Sequence, residues 1–317
     1  MPVVRRGNNI CLIIGPYTYI YDERTPLLGE GAMGVVYKGY ELNSRKVVAI
    51  KRVKDRFANV PEIRRRAHLE ASLMFSHPNL VEMLGCCDTS SHEGPIFIVS
   101  GFIEGENIDK FIDRELKTLP NVEHRICNMF LSVLDALSYI HQKGIIHMDI
   151  KPSNIMIEKG RNIRLMDLGI ADISHHAVAI GMMGTPKYAA PEQFANSGEQ
   201  ITLGPSTDIY EAGVTLYELI TKKNPFIAST IEEAKKLHQT VVLQETPAIS
   251  PQLLSVLRKA TAIDPHKRYQ SAADMKLALI QAFKNPTSKH NIWGYYWIAI
   301  LLTLIMIAVV LLYFLNS

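Results

Sequence analysis

Apolar residues along this chain recur with two different spacings. Short runs of apolar and β-branched residues predict strands, and apolar residues three and four positions apart predict helices. The predicted strands are Val47–Ile50, Ile96–Val99, Asn154–Ile157 and Asn162–Met166. The predicted helices are Pro61–Phe75, Val122–Gln142 and Ala272–Phe283. Gly144 is expected to end the second helix, and Ser271 with Asp274 to open the third as a capping box.

The chain is long enough for a two-lobed domain and a short appendage. It has 317 residues and a mass of 35.6 kDa, which suits a domain of roughly 250 residues. Residues 1–20 are expected to form a leader of unknown role. Its apolar run Ile10–Ile14 is too short for a signal-peptide core and continues into a strand-like segment, so no cleaved signal is expected.

A long apolar segment lies near the end of the sequence. Residues 292–315 carry no charge, and a helix of about 24 residues can cross a bilayer. Aromatic residues stand at both ends of this segment, as they do at membrane interfaces: Trp293, Tyr295, Tyr296, Trp297 and Tyr313. Lys284 and Lys289 precede it, within and beside the short polar linker 284–291. The sequence predicts a single-pass, C-terminally anchored membrane protein whose main domain lies in the cytosol.

Net charge and cysteine usage argue against two other classes of protein. The formal net charge is +3, which gives no indication of a nucleic-acid partner. The four cysteines, Cys11, Cys86, Cys87 and Cys127, form neither a CxxC pair nor a metal-binding spacing. Reduced cysteines in a cytosolic fold are therefore expected.

One short loop concentrates residues suited to phosphoryl transfer. It contains Asp149, Lys151 and Asn154, and the strand pair that follows can return the chain so that Asp167 faces Asp149. Asn154 and Asp167 offer the oxygen ligands that Mg²⁺ prefers. Asp149 can then orient a hydroxyl group and accept its proton, while Lys151 neutralises charge on the moving phosphate.

The stretch 147–172 resembles the catalytic loop and metal motif of the eukaryotic-type protein kinases, H-R-D-x-K-x-x-N followed by D-F-G. The Lys-Pro pair after the aspartate is typical of members that act on serine and threonine. Two positions depart from the family pattern, because Met148 replaces Arg and Leu168 replaces Phe. The resemblance covers residues 21–283. It implies an α+β, bilobal protein-kinase fold with a small β-rich N-terminal lobe and a larger helical C-terminal lobe, here joined to one transmembrane helix.

The resemblance also implies an ATP site that uses Mg²⁺, or Mn²⁺ in its place. A glycine-tipped hairpin is expected to cover the phosphates, because β-branched residues follow its G-x-G-x-x-G run instead of a helix. Lys51 is expected to grip the α- and β-phosphates. The implied nucleotide-binding positions are Leu28, Gly29, Glu30, Gly31, Ala32, Met33, Gly34, Val35, Val36, Ala49, Lys51, Glu70, Gly101, Ile103 and Met156.

Two residues of one predicted helix are candidates for the glutamate that pairs with Lys51. Glu70 is the preferred partner, although it lies about two residues nearer the following turn than the family pattern leads one to expect. Glu62 is the weaker alternative.

The segment from Asp167 to Glu192 resembles the family's activation segment. Its close, residues 184–192, matches the pattern for serine and threonine substrates, with Thr185 expected to contact Asp149 and Lys151. Met148 cannot pair with a phosphorylated residue as the family's arginine does. Activity is therefore expected not to require phosphorylation of this segment, for example at Ser174.

Two residues of the second lobe are expected to act as scaffold. By resemblance, Asp208 bonds the backbone of the catalytic loop, and Arg268 pairs with Glu192.

Taken together, these motifs predict a serine/threonine protein kinase that acts on protein substrates at the cytosolic face of a membrane. The rival is a membrane-anchored pseudokinase, a nucleotide-binding scaffold, which Met148, Leu168 and the displaced position of Glu70 favour slightly. Retention of Lys51, Asp149 and both metal residues argues against that rival. A small-molecule kinase of related fold is disfavoured by the segment 185–192.

Overall fold

The structure is a computed structural model that describes residues 2–31, 34–58, 60–73, 75–88, 94–160, 162–167, 176–178, 184–194 and 200–284. At positions 62, 66, 70, 71, 176–178 and 200–202 it describes the backbone alone. The predicted membrane segment 292–315 lies outside these residues, as does all of the linker but its first residue. None of the helices within the described ranges combines the length and apolarity needed to cross a bilayer.

Thirteen strands are found in the described residues. They are β1 Val3–Arg6, β2 Asn9–Ile14, β3 Tyr17–Asp22, β4 Gly29–Glu30, β5 Gly34–Glu41, β6 Val47–Val53, β7 Met83–Asp88, β8 Ile96–Gly101, β9 Gly105–Asn107, β10 Ile155–Glu158, β11 Ile163–Leu165, β12 His176–Val178 and β13 Gln200–Thr202.

Eight α-helices are found in the same residues. They are α1 Asp55–Ala58, α2 Pro61–Ser72, α3 Ile108–Phe111, α4 Val122–His141, α5 Pro205–Thr221, α6 Ile231–Thr240, α7 Pro251–Ala260 and α8 Ala272–Lys284. Strands thus dominate the first hundred residues and helices the remainder, which confirms the predicted bilobal α+β architecture.

An antiparallel sheet forms the first lobe. Its strand order is β1-β2-β3-β5-β6-β8-β7, with β4 paired to β5. The first three strands come from the segment that the sequence analysis treats as a leader. Leu12 and Tyr21 of these strands are buried in one cluster with Ile50 and Val99. Residues 3–22 therefore contribute to the core of this lobe.

Two buried helices organise the second lobe. The apolar stripe of α4 lies in the largest core cluster, as its spacing predicts. This helix ends in a Schellman motif, because Ile145 N donates to Ile140 O and Gly144 N to His141 O. In α5 every residue from Thr207 to Tyr217 is buried. The loops that carry the predicted chemistry pack against this second helix.

Candidate active site

Side chains of α5 hold the loop that carries Asp149. Asp208, which is fully buried, accepts hydrogen bonds from His147 N at 2.9 Å and Met148 N at 2.8 Å. These bonds hold Met148 at φ +64°, a left-handed conformation that costs free energy in any residue other than glycine. The predicted scaffold role of Asp208 is confirmed.

Two more side chains of α5 continue this anchoring along the loop. Glu211 Oε2 accepts a 2.7 Å hydrogen bond from Ile150 N, and Thr215 Oγ1 donates a 2.8 Å hydrogen bond to Ile150 O. Both side chains are fully buried. Asp149 is thus flanked on both sides by peptide groups that α5 holds in place.

Asp149 itself is bonded through both carboxylate oxygens. Oδ1 accepts from Thr185 Oγ1 at 2.7 Å, while Oδ2 accepts from Asn154 Nδ2 at 3.1 Å and pairs with Lys151 Nζ at 2.7 Å. Lys151 Nζ also donates to Thr185 Oγ1 at 2.7 Å. The sequence prediction that Thr185 contacts both residues is confirmed. Asp149 is 7% exposed, so its carboxylate is oriented and still reachable.

The predicted strand pair returns the chain to this loop. Strands β10 and β11 pair antiparallel, with Ile155 opposite Leu165. Met166 N then donates a 2.9 Å hydrogen bond to Asn154 O, which brings the next residue, Asp167, to the catalytic loop. Asp167 adopts φ +63° and pairs with Lys51 Nζ across the two lobes.

The charge of Asp167 is set by two opposing effects. Burial alone would raise its pKa, but the Lys51 ammonium outweighs burial, with help from Lys151 and His147, and holds the pKa below its ordinary value. The side chain of Asp167 is 38% exposed, so solvent screens part of this effect. The group is an anionic oxygen donor at neutral pH.

The chemistry of Asn154 and Asp167 fits a divalent cation. Asn154 Nδ2 is committed to Asp149 through two hydrogen bonds, to O at 2.9 Å and to Oδ2 at 3.1 Å, which leaves Oδ1 as its acceptor. Within the described ranges, no three His, Cys, Asp or Glu side chains converge on a metal-sized site. A pair of hard oxygen ligands suits Mg²⁺, which keeps waters and substrate phosphates as its other ligands.

The glycine-rich segment forms the predicted hairpin. β4 pairs with β5 so that Gly29 lies opposite Val36 and Glu30 opposite Val35. A Cβ atom at Gly34 would lie 2.6 Å from Arg52 O, so this position requires glycine. The predicted tip residues Ala32 and Met33 lie outside the described residues.

The other predicted nucleotide-binding positions lie beside the hairpin, on β6, on and after β8, and on β10. Leu28 is 45% exposed beside the hairpin, Ala49 and Lys51 lie on β6, and Met156 lies on β10. The amide of Gly101 already donates to Glu82 O at 2.8 Å, so it is not available to a nucleotide. Ile103 follows β8, with its side chain buried.

Several predicted residues cannot be assigned contacts. The backbones of Glu62 and Glu70 lie on α2, which ends at Ser72 and not at Phe75, but their side chains fall outside the description. The choice of partner for Lys51 therefore stays a prediction. Leu168 and Ser174 also lie outside the described residues.

The close of the activation segment is tied to the second lobe by a buried ion pair. Arg268 Nη1 and Nη2 bond Glu192 Oε1 and Oε2 at 2.7 and 2.9 Å. The Arg268 side chain is fully buried. This arrangement confirms the predicted pairing.

Beside Asp149 an open cavity of about 530 Å³ extends across the second lobe. Its lining includes Lys151 and Thr185, which both bond Asp149, together with Lys187 and Tyr188 of the activation segment.

The sequence analysis missed three of the loop's anchors, namely Glu211, Thr215 and Gln193. Gln193 Nε2 donates to Met148 O at 3.1 Å, and its Oε1 accepts from Ala190 N at 2.6 Å. A signal was present for the first two, because they follow Asp208 by three and seven positions and so share one face of a strongly apolar helix.

Comparison with known proteins agrees with this geometry. The family model of the protein kinase domain matches residues 23–279. A probable serine/threonine-protein kinase of Streptomyces coelicolor is 30% identical over 267 residues, covering 80% of this chain and 39% of that protein. The serine/threonine-protein kinase PknB of Mycolicibacterium smegmatis is 30% identical over 271 residues, covering 80% of this chain and 42% of that protein.

A relative from an animal is similar to the same part of the chain. The serine/threonine-protein kinase ULK3 of Xenopus laevis is 32% identical over 253 residues, covering 77% of this chain and 52% of that protein. The chain therefore spans about two fifths to one half of the length of these curated relatives.

Proposed function

This chain belongs to the protein kinase domain family, and we propose that it is an active serine/threonine protein kinase. It transfers the γ-phosphoryl group of ATP to serine and threonine hydroxyls of protein substrates. The observation that carries this proposal is the environment of Asp149, whose two oxygens are oriented by Thr185, Lys151 and Asn154. A scaffold that only docks partners has no need of this arrangement.

The residues divide the work of phosphoryl transfer. Asp149 orients the acceptor hydroxyl and takes its proton, and Lys151 neutralises charge that develops on the transferred phosphate. Lys51, from the other lobe, holds the nucleotide phosphates. Asn154 and Asp167 would hold Mg²⁺, which when bound would draw charge away from the phosphate oxygens. The protein's contribution is therefore positioning and charge neutralisation.

A protein substrate is favoured by the cavity beside Asp149. Its open form and its wall of activation-segment residues suit an extended peptide better than an enclosed small molecule. Thr185 lies at the junction of this cavity with the carboxylate. Its hydroxyl contact with Asp149 supports selection of serine and threonine.

An assay of phosphate transfer distinguishes an active kinase from the pseudokinase. Labelled phosphate from ATP with Mg²⁺ should pass to a generic basic protein, and Asp149→Asn should reduce the rate roughly 100- to 10,000-fold, the range for loss of a general base. Asp135→Asn makes the same chemical change in an ion pair with Lys276 on α4 and α8, and should leave the rate unchanged. Equal labelling by wild type and Asp149→Asn would contradict the proposal.

The same protein is proposed to be attached to a membrane through residues 292–315, with the kinase domain on the cytosolic face. The support is the uncharged apolar run, its aromatic ends and the lysines before it.

A charge in the middle of the run tests this attachment. After synthesis with phosphatidylcholine vesicles, wild type should resist extraction by alkaline carbonate. Ile305→Arg should be extracted, because arginine at the centre of a span costs about 2.5–3.5 kcal/mol. Asn316→Arg, outside the run, is the matched control and should resist extraction. Release of wild type would refute membrane attachment and leave the kinase proposal standing.

A further inference from the structure

The structure assigns a role to Glu211. We propose that its carboxyl group is a positioning residue for phosphoryl transfer, because it fixes the peptide that follows Asp149 and joins that peptide to the close of the activation segment. The inference rests on the proposed kinase function and names a residue on which that function depends.

The first support is a direct hydrogen bond to the catalytic loop. Glu211 Oε2 accepts from Ile150 N at 2.7 Å, and Ile150 is the residue next to Asp149. The carbonyl of the same residue accepts from Thr215, so both polar groups of Ile150 are held by α5. Lys151, Asn154 and Thr185 bond the Asp149 carboxylate directly, and the peptide held by α5 adjoins the backbone of the same residue.

The second support is the burial of the Glu211 carboxyl group, for which the described residues show no ion pair. It is fully buried, and Oε1 makes no well-formed hydrogen bond within the described ranges. Burial, followed by the charges of Asp208 and Asp149, raises its pKa well above the ordinary value, and bonds from Ile150 and Gln193 oppose this only in part. Because burying such a group costs free energy, its 2.7 Å bond to Ile150 N marks its role.

The third support is its contact with the activation segment. Gly184 adopts φ +84°, and a Cβ atom there would lie 2.6 Å from Met148 O, 3.1 Å from Gln193 Nε2 and 3.6 Å from Glu211 Oε1. Gln193 in turn bonds Met148 O and Ala190 N. The close of the activation segment therefore passes near the Glu211 carboxyl group and the catalytic loop, with no room for a side chain at Gly184.

The hydrogen bonds of Glu211 and Gln193 hold the catalytic loop without an ion pair to a phosphorylated residue. Met148 is fully buried and has no charge to offer a phosphorylated residue. Glu211 and Gln193 hold the same backbone through hydrogen bonds that need no modification. The catalytic loop and the activation segment are thus joined by residues already present in the folded chain.

Two substitutions of similar volume separate the hydrogen bond from packing. Glu211→Gln keeps an acceptor for Ile150 N, whereas Glu211→Met fills the space without one. We expect Glu211→Gln to retain the wild-type kcat, and Glu211→Met to lower kcat roughly 10- to 100-fold, the scale for misplacing a reacting group by about 1 Å. The KM for ATP should be unchanged in both, because the bond that is removed holds the peptide beside Asp149.

Amide hydrogen exchange at Ile150 gives a readout besides activity. It should be as slow in Glu211→Gln as in wild type and faster in Glu211→Met, while exchange in the β2–β3 pair stays unchanged. Equal kcat in wild type and Glu211→Met, or equal losses in both variants, would overturn the proposal. An inactive wild type would refute the kinase function alone, since the exchange comparison would still test the anchoring.

Discussion

Thr185 joins the activation segment to Asp149 through its hydroxyl group. This hydroxyl donates to Asp149 Oδ1 and accepts from Lys151 Nζ, both at 2.7 Å. A residue 36 positions along the chain thereby completes the hydrogen bonding of the proposed base. The close of the activation segment therefore takes a direct part in holding the Asp149 carboxylate.

Removal of that hydroxyl should impair transfer. Thr185→Val keeps the shape of the side chain but should lower kcat/KM about 10- to 100-fold, because a bond to a charged group worth about 1.5–3 kcal/mol is lost. Thr185→Ser restores the hydroxyl and should recover most of the activity. Steady-state kinetics on a serine-containing peptide provide the measurement. Wild-type kinetics for the valine variant would contradict this role.

Activity should not depend on a phosphate at Ser174. Met148 offers no charge to a phosphate group, and the catalytic loop is already anchored by Asp208. Ser174→Ala should therefore transfer phosphate at the wild-type rate, and so should wild type after phosphatase treatment. A near-total loss in both samples would show that phosphorylation of the segment is required.

The ion pair of Arg268 with Glu192 should matter for stability. Arg268→Leu leaves the Glu192 carboxylate uncompensated, and should lower the free energy of unfolding by about 3–5 kcal/mol. Arg268→Lys should recover little of this, because lysine cannot form the two parallel bonds. Urea unfolding gives the values. Lys276→Leu, which breaks a partly exposed pair with Asp135, is the control and should cost less than about 1 kcal/mol.

His238 should make stability fall in mild acid. It is buried between Tyr210 and the activation segment, where Nε2 donates to Pro186 O and Nδ1 accepts from Tyr210, both at 2.8 Å. Burial lowers its pKa to about 4. The unfolded chain therefore takes up a proton below about pH 6.5 that the folded chain does not, so stability is present at neutral pH and is lost as the pH falls toward 4.

The size of this effect can be measured by substitution. Between pH 7 and pH 5 the histidine should cost about 2 kcal/mol of unfolding free energy, at 1.36 kcal/mol per pH unit. His238→Gln keeps a donor for Pro186 O and does not titrate. Its unfolding free energy should therefore fall by about 2 kcal/mol less than that of wild type over the same range. Equal pH dependence in the two proteins would show that His238 is not the titrating group.

The sequence by itself determined where the chemistry lies. Asp149, Lys151 and Asn154 share one loop, and the strand pair before Asp167 is signalled by local apolar runs. Helix α4 and its glycine stop follow from spacing within a few residues. Such features are readable because strand and helix periods are properties of neighbouring residues.

The tertiary structure decided what holds that chemistry in place. The segment 3–22 forms three strands, and the pairing of the third, β3, with β5 makes the segment part of the core. Glu211 reaches Ile150 across 61 positions, and Gln193 reaches Met148 across 45. No local pattern encodes such contacts, because they depend on how α5 and the activation segment pack against a loop that is distant in sequence.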